Sequence, residues 1–172
     1  TWTMERASGS YITLSDSILL SFPYFSGVDI AGSGSRIWLN RRGSASIYGI
    51  DPATGNMDSI PAPSTYDSWT LTYDGTDLLA ADTTLGQILK LDISSPSLLE
   101  SPDYMGTNGI AWDGSSLWCL GDTDRYIYHL SLDGSILGSF DTEGFDVAGL
   151  AFDGTYLWYC SSDYGSSTTY IY

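Results

Sequence analysis

A chain of 172 residues is one ordinary domain, long enough to bury a core. Its 42% hydrophobic and 14% aromatic content fits a folded domain rather than a disordered one, and no apolar run approaches the ~20 residues of a membrane-spanning helix. Acids outnumber bases 21 to 6, for a net charge of −15, so phosphate backbones and anionic lipid surfaces are repelled, and neither nucleic acid nor membrane insertion is expected.

In chain order, residues 1–9 read as an N-terminal arm, and Tyr11–Leu14 and Ile18–Phe22 as two short strands. A first repeat follows, with strand A over Val28–Ala31, B over Arg36–Asn40, C over Ser46–Asp51 and D over Met57–Ile60. Its C–D connection, Asp51-Pro52-Ala53-Thr54-Gly55-Asn56, is dense in turn formers. The second repeat has A at Trp69–Tyr73, B at Leu78–Ala81, C at Gln87–Asp92 and a short D near Leu98-Leu99. The third has A at Asn108–Trp112, B at Leu117–Leu120, C at Tyr126–Leu132 and D at Ile136–Phe140. The fourth has A at Val147–Phe152, B at Tyr156–Cys160 and C at Thr168–Tyr172, with no D strand after it.

What ties these segments together is one recurring stretch. Trp112-Asp113-Gly114-Ser115-Ser116-Leu117-Trp118 returns as Phe152-Asp153-Gly154-Thr155-Tyr156-Leu157-Trp158 and more loosely as Tyr73-Asp74-Gly75-Thr76-Asp77-Leu78-Leu79, with a worn copy at Gly32–Trp38. The copies end at residues 38, 79, 118 and 158, a period near forty. Asp-Gly is a tight-turn signal, and four short antiparallel strands per forty residues is the blade of a β-propeller. No segment sustains a helical apolar period, so the chain is expected to be all-β, a propeller of about four four-stranded blades over residues 10–172, its last blade completed by N-terminal strands.

The strand count is uneven. Ile18-Leu19-Leu20-Ser21-Phe22 aligns with Ile136-Leu137-Gly138-Ser139-Phe140 and supplies the missing D strand, but Tyr11–Leu14 then reads as a second C strand, one more than four blades need. Three readings follow: an arm over the surface, a piece of a larger propeller, or a terminal strand that pairs with another copy. In the last, Tyr11, Ile12, Leu14, Ile18, Leu20, Tyr170 and Tyr172 are the exchange residues.

The repeat Gly149-Leu150-Ala151-Phe152-Asp153-Gly154-Thr155-Tyr156-Leu157-Trp158, with the third-strand motif of Ile127-Tyr128-His129-Leu130, Ile88-Leu89-Lys90-Leu91-Asp92 and Ile47-Tyr48-Gly49-Ile50-Asp51, and the turn Asp133–Leu137, resembles secreted bacterial and archaeal propeller repeats of the NHL and YVTN type. The resemblance covers essentially the whole chain. It implies the blade and no single function, since such propellers serve as binding platforms, lyases, cyclotransferases and surface-layer parts. Members usually have six or seven blades; about four are visible here.

Asp74, Asp113 and Asp153 could suggest a ring of metal carboxylates, but each precedes Gly in an A–B turn, where Asp bonds its own backbone. Asp82, Asp122, Asp124 and Asp163 fall at the opposite, B–C loop end. Hard oxygen ligands suit Ca²⁺. No calcium-loop spacing supports it, so solvated loop acids and no cofactor are expected. Trp69, where later blades carry Asn108 and Ala148, either stacks on a sugar or partner or plugs the ring. Arg41-Arg42, the only paired positive charge, is a solvated pair or meets Asp122 or Asp124 of a neighbouring copy. The lone His129 excludes a multi-histidine zinc site, and no obvious partner stands near it in sequence. Cys119 and Cys160 fall on opposite strand faces and are expected as free thiols. No G-x-S-x-G elbow or P-loop is present, and a Ser/His/Asp set could be assembled only by free choice among many serines.

The expectation is a non-enzymatic extracellular or cell-surface propeller, a structural or interaction unit that associates with itself or another extracellular protein, as an oligomer or filament. The low-lysine, Ser/Thr/Gly/Tyr-rich surface and a first residue other than Met suggest a processed, secreted form. The alternatives are a carbohydrate- or ligand-binding module and, behind it, a propeller lyase or hydrolase.

Overall fold

The structure is a computed structural model and describes residues 29–41, 43–62, 69–82, 86–93, 97–100, 107–121, 124–142, 146–162 and 169–172. They form fifteen strands in four antiparallel sheets. Blade 1 runs β1 (Ile30–Ser33), β2 (Arg36–Asn40), β3 (Ser46–Ile50) and β4 (Met57–Pro61). Blade 2 holds β5 (Trp69–Tyr73), β6 (Leu78–Asp82), β7 (Gln87–Asp92) and β8 (Ser97–Glu100). Blade 3 holds β9 (Thr107–Trp112), β10 (Leu117–Gly121), β11 (Tyr126–Leu130) and β12 (Ile136–Asp141), and blade 4 has β13 (Asp146–Phe152), β14 (Leu157–Ser162) and β15 (Thr169–Ile171). Each sheet is a meander in chain order, so its first strand lies at one edge. Those first strands touch in sequence, β1 on β5, β5 on β9 and β9 on β13, which makes an arc of blades around a common axis. Among the described residues β1 and β13 do not touch. The N-terminal arm and the two strands expected over residues 11–22 lie outside the described residues.

Strand alternation dictates how blades stack, because successive side chains point to opposite faces. Ala31, Trp38 and Ile47 leave blade 1 on the side facing blade 2, where they meet Leu71, Leu78, Ala80, Leu89 and Leu91 in one buried cluster. Leu79, Ala81 and Ile88 leave blade 2 on its other side and meet Ile110, Leu117, Cys119 and Leu130 of blade 3. Each blade thus has a forward face carrying the Trp38-type residue and a backward face carrying the Leu78-type residue. Asp29 pins the first junction, its carboxylate accepting from Leu71 N at 2.7 Å and Ile30 N at 2.9 Å. Burial raises the Asp29 pKa despite those two bonds.

Most strand ends fall within two residues of expectation, and two of the shifts have a local cause. In blade 1 strand A runs to Ser33, because the worn repeat turns on Gly34-Ser35 alone, with Gly34 at φ 58° and Ser33 paired to Arg36. In blade 3 strand C ends at Leu130 rather than Leu132, since Ser131 already closes the turn by donating to Ser135 O at 3.0 Å.

Candidate interaction surface at the fourth blade

The recurring Asp is a turn clamp in every blade that has it. Asp113 Oδ1 accepts from the backbone N–H groups of Ser115 (2.9 Å) and Ser116 (2.8 Å), and Oδ2 accepts from Ser116 Oγ (2.6 Å) and the Trp118 indole (2.9 Å). Asp153 repeats this with Thr155 N, Tyr156 N and the Trp158 indole at 2.7–2.8 Å. Asp74 holds Thr76 N and Asp77 N and, lacking a tryptophan donor, meets Lys90 Nζ at 3.1 Å. Blade 1 uses Ser33 Oγ to take the Trp38 indole N–H at 2.9 Å. Gly75, Gly114 and Gly154 follow each Asp at φ 96–102°, the left-handed region that other residues rarely enter. Burial alone would raise the Asp113 carboxyl, but the bonds from Ser116, Ser115 and Trp118 outweigh it and hold it well below the usual carboxylate range.

His129 does have a partner. Its Nε2 lies 2.6 Å from Ser116 Oγ, and its ring stacks on Trp118 with centroids 4.1 Å apart. A serine, a histidine and an aspartate therefore do meet, through cross-strand register between β10 and β11 that sequence spacing did not display. A nucleophilic triad needs the carboxylate on the far ring nitrogen, orienting the histidine. Here Asp113 Oδ2 bonds Ser116 and Trp118 and lies 3.6 Å from the same Nε2, and Ser116 is buried. This geometry clamps a turn.

Of the acids expected as solvated B–C loop side chains, Asp82 and Asp124 are among the described residues. Asp82 is a correction: it is the last residue of β6, opposite Trp69 and Gln87, and is fully buried because the strand runs one residue further than its apolar pattern. Asp124 is half-buried and accepts from Tyr126 N at 3.1 Å and from the Tyr128 hydroxyl, so its own blade already engages it. Trp69 opens β5, and its backbone is described; Tyr170 lies in β15 opposite Ser161. Arg41 is half-buried just after β2. Arg42, Asp122, Asp163, Tyr11, Ile12, Leu14, Ile18 and Leu20 lie outside the described residues. Among the described residues no three His, Cys, Asp or Glu side chains gather to hold a metal ion. Both cysteines are free, Cys119 buried and Cys160 half-buried.

The departure from regularity is blade 4. Among the described residues it has three strands where the others have four, and β15 is the outer one. Tyr159 and Tyr172 exchange both backbone hydrogen bonds, at 3.1 and 2.9 Å, and their rings stack. Alternation along an antiparallel ladder then turns the N–H and C=O of the adjacent Ile171 away from β14, toward the outer edge. The forward face of the same blade also carries exposed apolar side chains. Trp38 is 1% exposed, whereas its counterpart Trp158 is 36% exposed and meets Tyr156 edge-on. Ile47, Ile88 and Ile127, each opposite the same position of strand B, are at most 3% exposed, whereas the matching Ile171 is 59% exposed. At the other end of the arc, Leu71 and Ile110 are 4% exposed on their backward faces, and the equivalent Ile30 of blade 1 is 61% exposed. Register had hidden nothing here; what the repeat pattern lacked was any sign of which blade has a neighbour.

No protein-family model and no curated protein matches the sequence. Solved structures do match in fold. Glutaminyl cyclase from Myxococcus xanthus superposes with a TM-score of 0.62 at 9% identity, over 76% of this chain and 66% of that one. BamB from Moraxella catarrhalis gives 0.56 at 18% identity, over 77% of this chain and 39% of that one. The computationally designed Ika4 protein gives 0.62 at 13% identity, over 92% of this chain and 98% of that one. The chain spans two-thirds or less of the two natural proteins and nearly all of the designed one. Similarity at these identities carries the architecture alone: the chain is a β-propeller of about four blades.

Proposed function

We propose that this chain is a non-enzymatic, extracellular structural or interaction unit that associates with other copies of itself by strand exchange at its fourth blade. The observation that carries the reading is the outer edge of β15, where Ile171 turns its backbone N–H and C=O away from β14 in a sheet that has three strands among the described residues where its neighbours have four. An edge of this kind templates addition of a further strand, with main-chain bonds giving affinity. Tyr11, Ile12, Leu14, Ile18 and Leu20 are the residues that would supply that strand, and Tyr170 and Tyr172 those that would receive it. Among the described residues the Ser116, His129 and Asp113 side chains are committed to a turn, which favours a scaffold over a hydrolase. A low-lysine, acidic surface suits an extracellular setting.

The test is Ile171→Pro. Proline removes the outward N–H and spares the bonds that β15 makes inward to β14. We expect the variant to stay folded by circular dichroism and to lose its oligomeric state in light scattering. An unchanged particle mass would overturn strand exchange.

A further inference from the structure

We infer that the forward face of blade 4 receives the backward face of blade 1 of a second copy, so that two chains close one eight-bladed ring. The inference deepens the self-association reading and rests on it, but it assigns the contact to blade faces rather than to a strand edge. Its template lies inside the chain. The first two blade-to-blade junctions each pair a forward tryptophan or leucine and a forward isoleucine with a backward leucine or isoleucine from the next innermost strand: Trp38 and Ile47 with Leu71, Leu79 and Ile88 with Ile110. The two ends of the arc carry the same chemistry. On the forward end Trp158 is 36% exposed where Trp38 and Leu79 are at most 2%, and Ile171 is 59% exposed where Ile47, Ile88 and Ile127 are at most 3%; on the backward end Ile30 is 61% exposed where Leu71 and Ile110 are 4%.

Burying such side chains removes apolar surface from water, which is what stabilises a propeller. On the backward end Leu39 and Ile50 at the centre are buried, while Ile30 and Met57 at the rim are exposed, which places the receptive positions on the first and last strands of blade 1. The contact is heterologous, since a forward face fits a backward face and not another forward face. Heterologous contacts either close into rings or run on as filaments. Propellers hold roughly four to eight blades. Two four-blade arcs reach the top of that range and three would exceed it, so closure comes at two copies.

The experiment is sedimentation velocity on the full chain and on Trp158→Asp and Ile30→Asp. The wild type should run at twice the chain mass, and each variant at the monomer mass, with self-association weakened at least about 30-fold, as expected for truncating a central aromatic or aliphatic anchor. Mixing the two variants should restore a dimer, because Trp158→Asp keeps an intact blade 1 and Ile30→Asp an intact blade 4; this also shows that both variants are folded. Added salt should strengthen the wild-type dimer by screening two chains of charge −15. A mixture that stays monomeric, although both variants unfold cooperatively, overturns the inference. So does a wild-type mass that neither substitution changes. If Ile171→Pro alone dissociates the particle, strand exchange stands and face docking falls, whereas a wild-type monomer at every concentration sinks both.

Discussion

Replacing Asp113 with alanine tests whether the repeated Asp is structural. The carboxylate accepts from Ser115, Ser116 and the Trp118 indole, and its side chain is only 14% exposed. In the variant Ser116 Oγ keeps His129 as a partner, but the buried Ser116 N–H and the half-buried Trp118 Nε1 lose their acceptor. A buried donor left unsatisfied costs about 1–1.5 kcal/mol, and the water that reaches the turn relieves part of it, so the loss should be about 2 kcal/mol. For a chain of this size that lowers Tm by about 4–8 °C. The same change at Asp153 should cost less, because Thr155, Tyr156 and Trp158 are all exposed and water replaces the carboxylate.

The pH dependence carries the sign. A carboxylate held below its ordinary value contributes stability that is fully present above the unfolded value near ~3.9 and is lost as pH falls toward the depressed native value. Urea unfolding from pH 7 to pH 2 should therefore show a shallower acid decline in Asp113→Ala than in the wild type. Equal losses at Asp113 and Asp153, or an unaltered acid limb, would refute the clamp.

Two further outcomes follow from the packing. A Cβ on Gly49 would sit 2.9 Å from both the Trp38 ring and Asp58 Oδ1, whereas one on Gly138 meets nothing within 4 Å. Gly49→Ala should cost about 1–3 kcal/mol in chemical denaturation and Gly138→Ala should be near neutral, with equal effects counting against the Trp38 packing. Burial pushes the Cys119 thiol far above its ordinary range, whereas Cys160 is half-buried. In the native protein a thiol reagent should label Cys160 first and Cys119 only on unfolding; simultaneous labelling of both would contradict the blade 2–blade 3 interface.

The blades were legible because their signals are local. Asp-Gly turns, a period near forty and alternating apolar strands place Arg36–Asn40, Trp69–Tyr73 and Gln87–Asp92 within their observed bounds. The boundaries that moved did so where side chains or a shortened turn compete with alternation. Ser131 bonds Asp133 and Ser135 and ends β11 early, while Gly34-Ser35 lets β1 run on. The candidate site was less legible because its chemistry is not local. His129 meets Ser116 through the pairing of β11 with β10, thirteen residues apart in sequence. Asp82 looks like a loop acid in sequence and is buried in the fold because β6 carries one residue beyond its apolar run. The exposure of Trp158 and Ile171 depends on what stands beside blade 4, and a position that is isoleucine in all four repeats, or tryptophan in three of them, does not report it.

The clamp shows why the repeats vary as they do. The position opposite the Trp38-type residue is Gly49 in blade 1, Lys90 in blade 2 and His129 in blade 3. These are three answers to one demand, which is a hydrogen-bonded corner where the A–B turn meets strands B and C. In blade 1 the indole bonds Ser33 and lies so close to strand C that only glycine leaves it room, with Arg36 over its face. In blade 3 the indole bonds Asp113 and a flat imidazole stacks on it, its Nε2 sharing a hydrogen bond with Ser116 Oγ of the turn. In blade 2 a leucine replaces the tryptophan and brings no N–H, so the chain's sole lysine delivers the donor from strand C, reaching Asp74 at 3.1 Å and Asp77 at 3.4 Å. The hydrogen bond to Asp74 raises the Lys90 pKa, so the ammonium stays charged across the neutral range and is lost as a stabiliser only as pH rises past the ordinary lysine value. A residue that looks like a lone surface charge in sequence is thus the blade 2 equivalent of an indole N–H, and the variation between repeats follows the donor each corner requires.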